Sequence, residues 1–333
     1  MNRSLRWGVL STAKIAQKEL LPAFQRAENA VVNAIASQSN SGKAKEVAEQ
    51  FHIEKVYDSY EELLNDKEID AVYIPLPNHL HKKWAIEAAN QGKHILLEKP
   101  AALNAEETEE IGQACKDNGV HLMEAFMYHF HPQHDRVKEI IGNGEIGDVK
   151  FIRSSFSFYL GKKENNIKMA TEKGGGSLYD VGCYTLHAMR NILQTEPEWI
   201  HAYADADPEY GVDISVTGFL NFPNGVRGVF DAGFDRTKRA EYEVIGTEGT
   251  IRVPRAFRPD WNGGDGLVIV EKTGSTRTET IQADQYKEEV ELFSRAVLQG
   301  TEPAHTWENT IGNMRVIDAC FASIHQQSAV KLH

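Results

Sequence analysis

Cysteine is scarce in this sequence, and the few cysteines follow no disulfide or metal-binding pattern. The 333 residues include three cysteines, Cys115, Cys183 and Cys320, with no C-x-x-C pair. An odd number without that spacing excludes a disulfide framework and the usual zinc motifs. We expect all three to be reduced thiols that pack as small buried side chains.

The sequence also lacks long apolar runs and any excess of basic charge. No run approaches the ~18 apolar residues that a membrane-spanning helix requires, and the first residues have no sustained apolar stretch like a secretory signal. Lys and Arg number 36 against 48 Asp and Glu, so the net charge is −12. Without a basic block, such a chain is poorly suited to bind nucleic acid or an anionic membrane. We therefore expect a cytoplasmic protein that binds neither.

The first third of the chain alternates between short apolar runs and helical spacing. Its predicted strands are 5–10, 31–37, 55–57, 70–75, 94–98 and 120–125, and its predicted helices are 15–27, 42–51, 59–66, 79–91 and 105–118. Ser59 is the predicted N-cap of the third helix. Near-continuous apolar strands that alternate with helices indicate a parallel sheet covered on both faces. The fold class predicted for this part is therefore α/β, with a doubly wound sheet.

Beyond about residue 126 the alternation of strands and helices gives way to consecutive predicted strands. The predicted strands there are 151–159, 198–205, 214–222, 226–232, 240–247, 250–254, 267–272 and 276–281, and the predicted helices are 134–142, 179–193, 285–299 and 306–326. Turn signals such as Pro223–Gly225 join several strands, which predicts an α+β domain with a large, mostly antiparallel sheet. A chain of this length has room for two domains at about 150 residues each. We predict that they comprise residues 1–123 and 124–333.

Ligands of doubly wound folds bind beyond the carboxyl ends of the strands, so the loops there are examined first. The segment Gly8–Ala13 stands where G-x-G-x-x-G would stand, but Leu10 and Ala13 replace the second and third glycines. Backbone N–H groups of Ser11 to Lys14, at a helix start, can still hold a pyrophosphate. This loop alone is a weak indication of a dinucleotide.

The loop after the second strand bears on the choice of cofactor. An acidic residue there binds the ribose 2′-OH of NAD, but this sequence has Ser37, Gln38, Ser39 and Asn40, with Lys43 one turn later. The missing acid slightly favours NADP(H) over NAD(H).

Three further segments bear on the chemistry of the site. Pro75–His81 follows the fourth strand, and Glu98-Lys99-Pro100 follows the fifth. In the second domain, Gly174–Tyr184 places Asp180, Tyr184 and His187 near one helix face, and an acid and a phenol one turn apart can hold a hydroxyl. The histidines of these segments and of the stretch after residue 126 match no standard zinc spacing, so no metal is expected.

With these segments in order, the sequence resembles the Gfo/Idh/MocA oxidoreductase family. The likeness runs through RWGVLSTAKIA, PLPNHLH, LLEKP, MEAFMYHFHPQ and GGGSLYDVGCYTLH, and so covers both domains. Within the family it is most similar to the dihydrodiol and D-xylose 1-dehydrogenase branch, in which the residue four after the Asp is Tyr. The resemblance implies a Rossmann domain, a sheet domain used in homodimer or homotetramer contacts, and a bound NAD(P).

The resemblance also implies roles for individual residues. Lys99 and Tyr184 are expected to face the reacting carbon with Asp180 beside them. Asp180 can either orient Lys99 or bond a second substrate hydroxyl. Independently of the resemblance, Arg153 is expected to contact the substrate from the first strand of the second domain. The expected cofactor contacts are Gly8, Leu10, Ser11, Thr12, Ala13, Lys14, Ile15, Ser37, Gln38, Lys43, Leu76, Pro77, Asn78, His81, Glu98 and Lys99. The sequence departs from the branch at Gln38, where NADP-using relatives often have Arg, and at His129, where the branch usually has Arg.

The predicted activity is hydride transfer between a nicotinamide cofactor and a hydroxyl or carbonyl carbon of a sugar, polyol or vicinal diol. Two assignments of the proton remain open. Tyr184 can act as the base if Lys99 stabilises its phenolate, since a phenol has a reference pKa near 10, or Lys99 can transfer the proton while Tyr184 orients the substrate. The alternative function is a non-catalytic NAD(P) sensor of the same fold. The intact set of Lys99, Asp180 and Tyr184 favours the enzyme.

Overall fold

The computed structural model describes residues 4–38 and 41–332, apart from the side chain of Ser41. The first of its two sheets has six strands in parallel ladders. The strands are Leu5–Leu10 (β1), Ala30–Ala36 (β2), Lys55–Tyr57 (β3), Ala71–Ile74 (β4), His94–Leu97 (β5) and Leu122–Glu124 (β6). Their order, β3-β2-β1-β4-β5-β6, is that of a doubly wound dinucleotide-binding sheet. The fold predicted for this part is confirmed.

Helices alternate with these strands as the sequence predicts. A π-helical turn, Ala16–Leu20, continues as Leu21–Arg26 (α1), and the others are Ser41–Phe51 (α2), Tyr60–Asn65 (α3), His81–Asn90 (α4) and Ala105–Asn118 (α5). The predicted N-cap is confirmed, because Ser59 Oγ accepts a hydrogen bond from the Glu62 N–H at 3.1 Å. The strands β1, β4 and β5 are almost wholly buried, which is why their sequences read as continuous apolar runs.

The second sheet has nine strands. They are Val149–Tyr159 (β7), Trp199–Ala206 (β8), Asp213–Asn221 (β9), Arg227–Gly233 (β10), Asp235–Gly246 (β11), Gly249–Val253 (β12), Asp265–Lys272 (β13), Ser275–Gln282 (β14) and Val330–Lys331 (β15). The order is β14-β13-β12-β11-β7-β10-β9-β8-β15, and β7 with β10 is the one parallel pair of this sheet among the described residues. The prediction of a large, mostly antiparallel sheet is confirmed. The sequence reading missed β15.

Four helices complete the chain. They are Gln133–Gly142 (α6), Cys183–Leu193 (α7), Gln285–Gln299 (α8) and Trp307–Gln326 (α9). A π-helical turn, Leu178–Gly182, precedes α7 directly. One face of the second sheet packs on α7, since a Cβ at Gly228 of β10 would lie 3.2 Å from Met189 Sδ and the rings of Phe156 and Tyr184 are 5.3 Å apart. On the opposite face Phe219 and Tyr203 are 53% and 55% exposed.

The chain divides into two compact units. The first comprises Met1–Met127 and Tyr286–Ile311, and the second comprises Tyr128–Gln285 and Gly312–His333. The predicted domain boundary, between residues 123 and 124, stays a prediction. The first unit therefore draws on two separate stretches of sequence.

Two expectations from composition can be compared with the structure. All three cysteines lie in the described part of the chain, where each is buried and none forms a disulfide. Among residues 4–38 and 41–332, no helix combines the length and the apolar character needed to cross a bilayer.

Candidate active site

The carboxyl ends of β1, β2, β4 and β5 bring the loops of the first unit to one edge of the parallel sheet. The loop after β1 contains the eroded fingerprint. Gly8 and Leu10 are buried, so only their backbones can face a ligand, whereas Ser11, Thr12, Ala13 and Ile15 are half-buried and Lys14 is exposed. A Cβ at Gly8 would lie 2.5 Å from Leu63 Cδ2, so this glycine is required for packing β1 against α3.

Ser11 adopts a backbone conformation with positive φ, which is usually found at glycine. Its φ is 119°, in the left-handed region that side chains other than glycine rarely adopt. The hydroxyl supports this conformation, since it accepts from the Ala13 N–H at 3.1 Å and donates to the Pro75 carbonyl at 3.3 Å. The second bond ties the loop after β1 to the loop after β4. Backbone strain of this kind concentrates at binding sites.

The loop after β2 carries two exposed side chains that can meet a cofactor. Ser37 is buried, and Gln38 and Lys43 are exposed. The Gln38 side-chain amide donates to Glu61 at 3.0 Å, so an acidic group reaches this loop from α3. Ser39 and Asn40, which follow Gln38 in the sequence, lie outside the described residues.

The loop after β4 is fastened to the loop after β5 by His81. Its Nε2 lies 2.8 Å from the Leu76 carbonyl oxygen, and its Nδ1 lies 2.9 Å from that of Pro100. Burial outweighs these carbonyls and lowers the pKa of His81 to about 4. His81 is fully buried, so the expected cofactor contact is corrected: its side chain supports the two loops from within. Pro77 and Asn78 are half-buried, and Leu76 is buried.

Glu98, directly after β5, is half-buried and interacts electrostatically with the buried acid Glu289. Its carboxylate accepts from the Tyr73 hydroxyl at 2.5 Å, and burial raises the pKa of Glu98. Burial and the charge of Glu98 also raise the pKa of Glu289, on α8, well above its ordinary value. Lys99 follows Glu98, is half-buried, and its charge opposes the effect of burial on Glu98. The sequence reading missed Glu289, because an isolated Glu in an amphipathic helix ordinarily faces water.

In the second unit the glycine segment, residues 174–176, directly precedes the helical stretch that contains Asp180 and Tyr184, the predicted catalytic pair. Asp213, on β9, accepts from Ser177 Oγ at 2.8 Å and from the Leu178 N–H at 2.7 Å, so it caps the helix start. Gly176 has a φ of 113°, and a Cβ there would lie 2.2 Å from Asp213 Oδ1. Glycine is therefore needed for the cap to reach the helix.

Asp180 and Tyr184 lie one turn apart, as predicted, at the junction of the π-helical turn and α7. Tyr184 is 5% exposed, and its ring centroid is 5.3 Å from Phe156, 5.7 Å from Phe257 and 5.8 Å from Tyr128. A π-helical turn in such a place is typical of functional sites.

Two contacts of this helix face were not predicted. Lys168 Nζ lies 2.5 Å from Asp180 Oδ2, and no pattern in the sequence relates this lysine to Asp180. The Tyr128 hydroxyl is hydrogen-bonded to Nδ1 of His187, the third residue of the predicted face. Burial raises the pKa of Tyr128 well above its ordinary value.

The expected substrate contact of Arg153 is corrected by the pleat of β7. Ile152, Ser154 and Phe156 are buried on the face that packs on α7, and Arg153 alternates with them. Its guanidinium is 60% exposed and pairs with Glu243 at 2.6 Å. Arg153 therefore points to the sheet face opposite Tyr184.

Known protein families match most of the chain. Residues 5–126 match the family described as "Oxidoreductase family, NAD-binding Rossmann fold", and residues 134–252 match the "GFO/IDH/MocA C-terminal domain".

Individual relatives are similar over most or all of their length. D-xylose 1-dehydrogenase (NADP(+)) 2 of Haloferax volcanii is 39% identical over 329 residues, which are 98% of this chain and 100% of that protein. Trans-1,2-dihydrobenzene-1,2-diol dehydrogenase of Mus musculus is 33% identical over 261 residues, 77% of this chain and 76% of that protein. The crystal structure of KijD10, a 3-ketoreductase from Actinomadura kijaniata in complex with NADP and TDP-benzene, is 30% identical, with a TM-score of 0.91 over 96% of this chain and 98% of that one.

Proposed function

This chain belongs to the Gfo/Idh/MocA oxidoreductase family, and from that membership we infer that it is an NADP-preferring dehydrogenase or reductase. It transfers a hydride between the nicotinamide and a hydroxyl or carbonyl carbon of a sugar, polyol or vicinal diol. The observation that carries the inference is the shared edge of the parallel sheet, where the β1 loop, the exposed residues after β2 and Lys99 after β5 all emerge. The D-xylose and dihydrodiol dehydrogenases support the substrate class.

The residues of this edge fit a nicotinamide dinucleotide. The half-buried Ser11, Thr12 and Ala13 precede a helix, where backbone N–H groups favour a phosphate anion. Among the described residues that follow β2, Gln38 and Lys43 are exposed and not acidic, which suits a 2′-phosphate. Glu61, which accepts from Gln38, comes from α3 and not from the end of β2, where an acid would bind the ribose 2′-OH. NADP in the Haloferax volcanii enzyme's name and in the KijD10 complex supports the same preference. When bound, the cofactor supplies or accepts the hydride.

The chain's own residues then manage the proton and the substrate. On oxidation of an alcohol, the O–H bond breaks and its proton passes either to Tyr184 or to Lys99. In the first assignment Lys99 stabilises the Tyr184 phenolate, and in the second Tyr184 orients the substrate hydroxyl. Asp180 accepts a hydrogen bond from a substrate hydroxyl in both.

A binding and turnover experiment tests the function. Fluorescence and thermal-shift titrations with NADPH and NADH come first, followed by absorbance assays with D-xylose, other aldoses, inositols and trans-diols. We expect NADPH to bind more tightly than NADH, and NADP-dependent turnover of at least one sugar or diol. Tight binding without turnover across the panel favours the sensor function instead, and failure to bind either nucleotide contradicts both.

We also propose that the chain forms a homodimer or homotetramer through the second sheet. Trp199 and Tyr203 of β8 and Phe219 of β9 are 40%, 55% and 53% exposed on neighbouring strands, and such clustered aromatic exposure is typical of interfaces. The buried cysteines support the cytoplasmic location that we propose, and a small molecule is the other expected partner.

A charge in this aromatic patch is expected to lower the mass of the particle. Light scattering of the wild type should give two or four times the 37.3 kDa of one chain, and Phe219→Lys should shift the protein to the monomer at micromolar concentration. The exposed Lys173, outside the sheet, gives the control Lys173→Met, which should keep the wild-type mass. A monomeric wild type contradicts the proposal.

A further inference from the structure

The ion pair between Lys168 and Asp180 is the feature of the second unit that the proposed mechanism leaves unexplained. Lys168 Nζ lies 2.5 Å from Asp180 Oδ2, and the two side chains are 34% and 19% exposed. The same ammonium lies 5.7 Å from the centroid of the Phe158 ring, which gives the lysine a second contact. Lys168 thus places a cation directly on the carboxylate that precedes Tyr184 by one turn.

Backbone hydrogen bonds fix the segment that carries Lys168. It lies in a 3₁₀ turn, Ile167–Met169, where the Asn166 side-chain carbonyl accepts from the Lys168 N–H at 3.1 Å. Met169, its neighbour, is 3% exposed and anchors the turn in the interior. The position of Lys168 is therefore set by the fold of this loop.

The same turn is fastened to the glycine segment that begins the Asp180 helix. The Gly176 N–H donates to the Lys168 carbonyl at 2.9 Å, and the Gly175 N–H donates to the Ala170 carbonyl at 3.0 Å. A Cβ at Gly175 would lie 2.8 Å from the Lys168 carbonyl oxygen, so only glycine permits this approach. One function of the glycine run is thus to hold the backbones that carry Lys168 and Asp180 at a fixed separation.

A salt bridge at this exposure contributes little to folding, because solvent screens it and two side chains lose freedom. Its effect on the carboxylate is different. An ionised carboxylate has about four acceptor sites and can bond several donors at once, and an ammonium held close to one oxygen restricts the orientation of the whole group.

We propose that Lys168 is a positioning residue for the reaction, whose ammonium group orients the Asp180 carboxylate so that it accepts a hydrogen bond from a substrate hydroxyl. The inference rests on the proposed function of Asp180. Lys168 itself exchanges no proton with the substrate.

A double-mutant cycle tests this proposal in the full-length protein with NADP and the best substrate of the panel. The variants are Lys168→Met, Asp180→Asn and their combination, with Lys168→Arg as the conservative variant. We expect Lys168→Met to raise KM by about tenfold or more with a smaller change in kcat, and Lys168→Arg to restore most of the loss. In the Asp180→Asn background, Lys168→Met should change kcat/KM by less than about twofold, because its target is gone.

The controls separate positioning from folding. Lys173→Met removes an exposed lysine from the same loop and should stay within about twofold of the wild type in kcat/KM. Each variant must keep the wild-type affinity for NADPH and the wild-type melting temperature. If Lys168→Met does not fold, Lys168→Gln takes its place in the cycle. Independent effects of the two substitutions, or a Lys168→Met enzyme with the wild-type KM, overturn the proposal.

Failure of the proposed function would be recognised separately. A wild type that binds NADPH but converts no member of the panel contradicts the dehydrogenase assignment, and kinetics then carry no information on Lys168. Crystal structures of the wild type and of Lys168→Met give the answer in that case. A reoriented Asp180 carboxylate in the variant supports the positioning role, and an unchanged one overturns it.

Discussion

Tyr184→Phe is expected to lower kcat by about 10²–10⁴-fold, the usual contribution of a positioned general base or acid. The substitution removes one hydroxyl group and keeps the ring among Phe156, Phe257 and Tyr128, so packing around α7 should survive. Affinity for NADPH should stay within about twofold of the wild type, since loss of a proton-transfer group acts on the transition state rather than on binding. Single-turnover absorbance measurements with saturating NADP and substrate would give the rate of the chemical step directly.

The matched control for this experiment is Tyr179→Phe. Tyr179 lies in the same π-helical turn as Asp180, and its ring is 4.9 Å from that of Phe321, so the change removes a hydroxyl from the same segment. It should leave kcat close to the wild-type value. If Tyr184→Phe also retains near-wild-type turnover, the assignment of the proton to Tyr184 is wrong. Lys99→Met would then be the variant in which the chemical step is lost.

The architecture of the first unit was predictable because strands that are buried on both faces consist almost entirely of apolar residues. Residues 72–74 of β4 and 95–97 of β5 are buried on both faces of the sheet, so their sequences are continuously apolar. The helices between the strands show apolar residues at a spacing of three or four. The segment Tyr286–Ile311 belongs to the first unit although it lies far along the chain. The spacing of its apolar residues does not show which unit it packs in, because an amphipathic helix has the same sequence pattern in both units.

For the site in the first unit, the sequence predicted which loops form it but not the role of each side chain in those loops. The position of Lys99 follows from the end of a strand, which the pattern shows. The function of Ser11 as the left-handed residue of the loop does not, because the fingerprint places glycine at other positions. His81 could be taken for a ligand from its place after Asn78. Its actual role depends on the carbonyls of Leu76 and Pro100, and the second of these lies 19 residues away.

In the second unit the sequence indicated which residues share a helix face but not which sheet face meets that helix. The period of β7 separates Arg153 from Ser154, yet only the packing of α7 shows that Ser154 is on the side of Tyr184. Lys168 lies in a loop without regular period, where no pattern of the sequence relates it to Asp180. Backbone hydrogen bonds between the Lys168 turn and the glycine segment determine that contact, and such irregular bonding has no period that the sequence shows.

His81 is expected to make the first unit lose stability in acid. Burial lowers its pKa to about 4 in the folded chain, against a reference value near 6.5 in the unfolded chain. The unfolded chain therefore binds the additional proton between these two values, so the stabilisation is complete above pH 6.5 and is lost as the pH falls toward 4. A shift of this size corresponds to about 3 kcal/mol.

His81→Gln isolates this contribution, because every other titrating group is common to both proteins. At pH 7 the variant should be less stable by about 1–3 kcal/mol, since the neutral imidazole donates its one N–H to a buried carbonyl and the Gln side chain, which has a different shape, loses that hydrogen bond. Urea titrations followed by tryptophan fluorescence at pH 7, 6, 5 and 4.5 would measure the difference between the two proteins. That difference in the free energy of unfolding should narrow steadily as the pH falls. In acid the unfolded wild type gains a proton on His81 that the folded wild type does not bind, and the variant has no such group. The exposed Gln326 gives the control Gln326→Ala, which removes no titrating group, so its difference from the wild type should not change with pH. A His81→Gln difference that stays constant would show that folding does not shift the pKa of His81. A difference that widens in acid would show that the folded chain binds the proton more tightly, as an imidazolium between the two carbonyls. Either result contradicts the prediction.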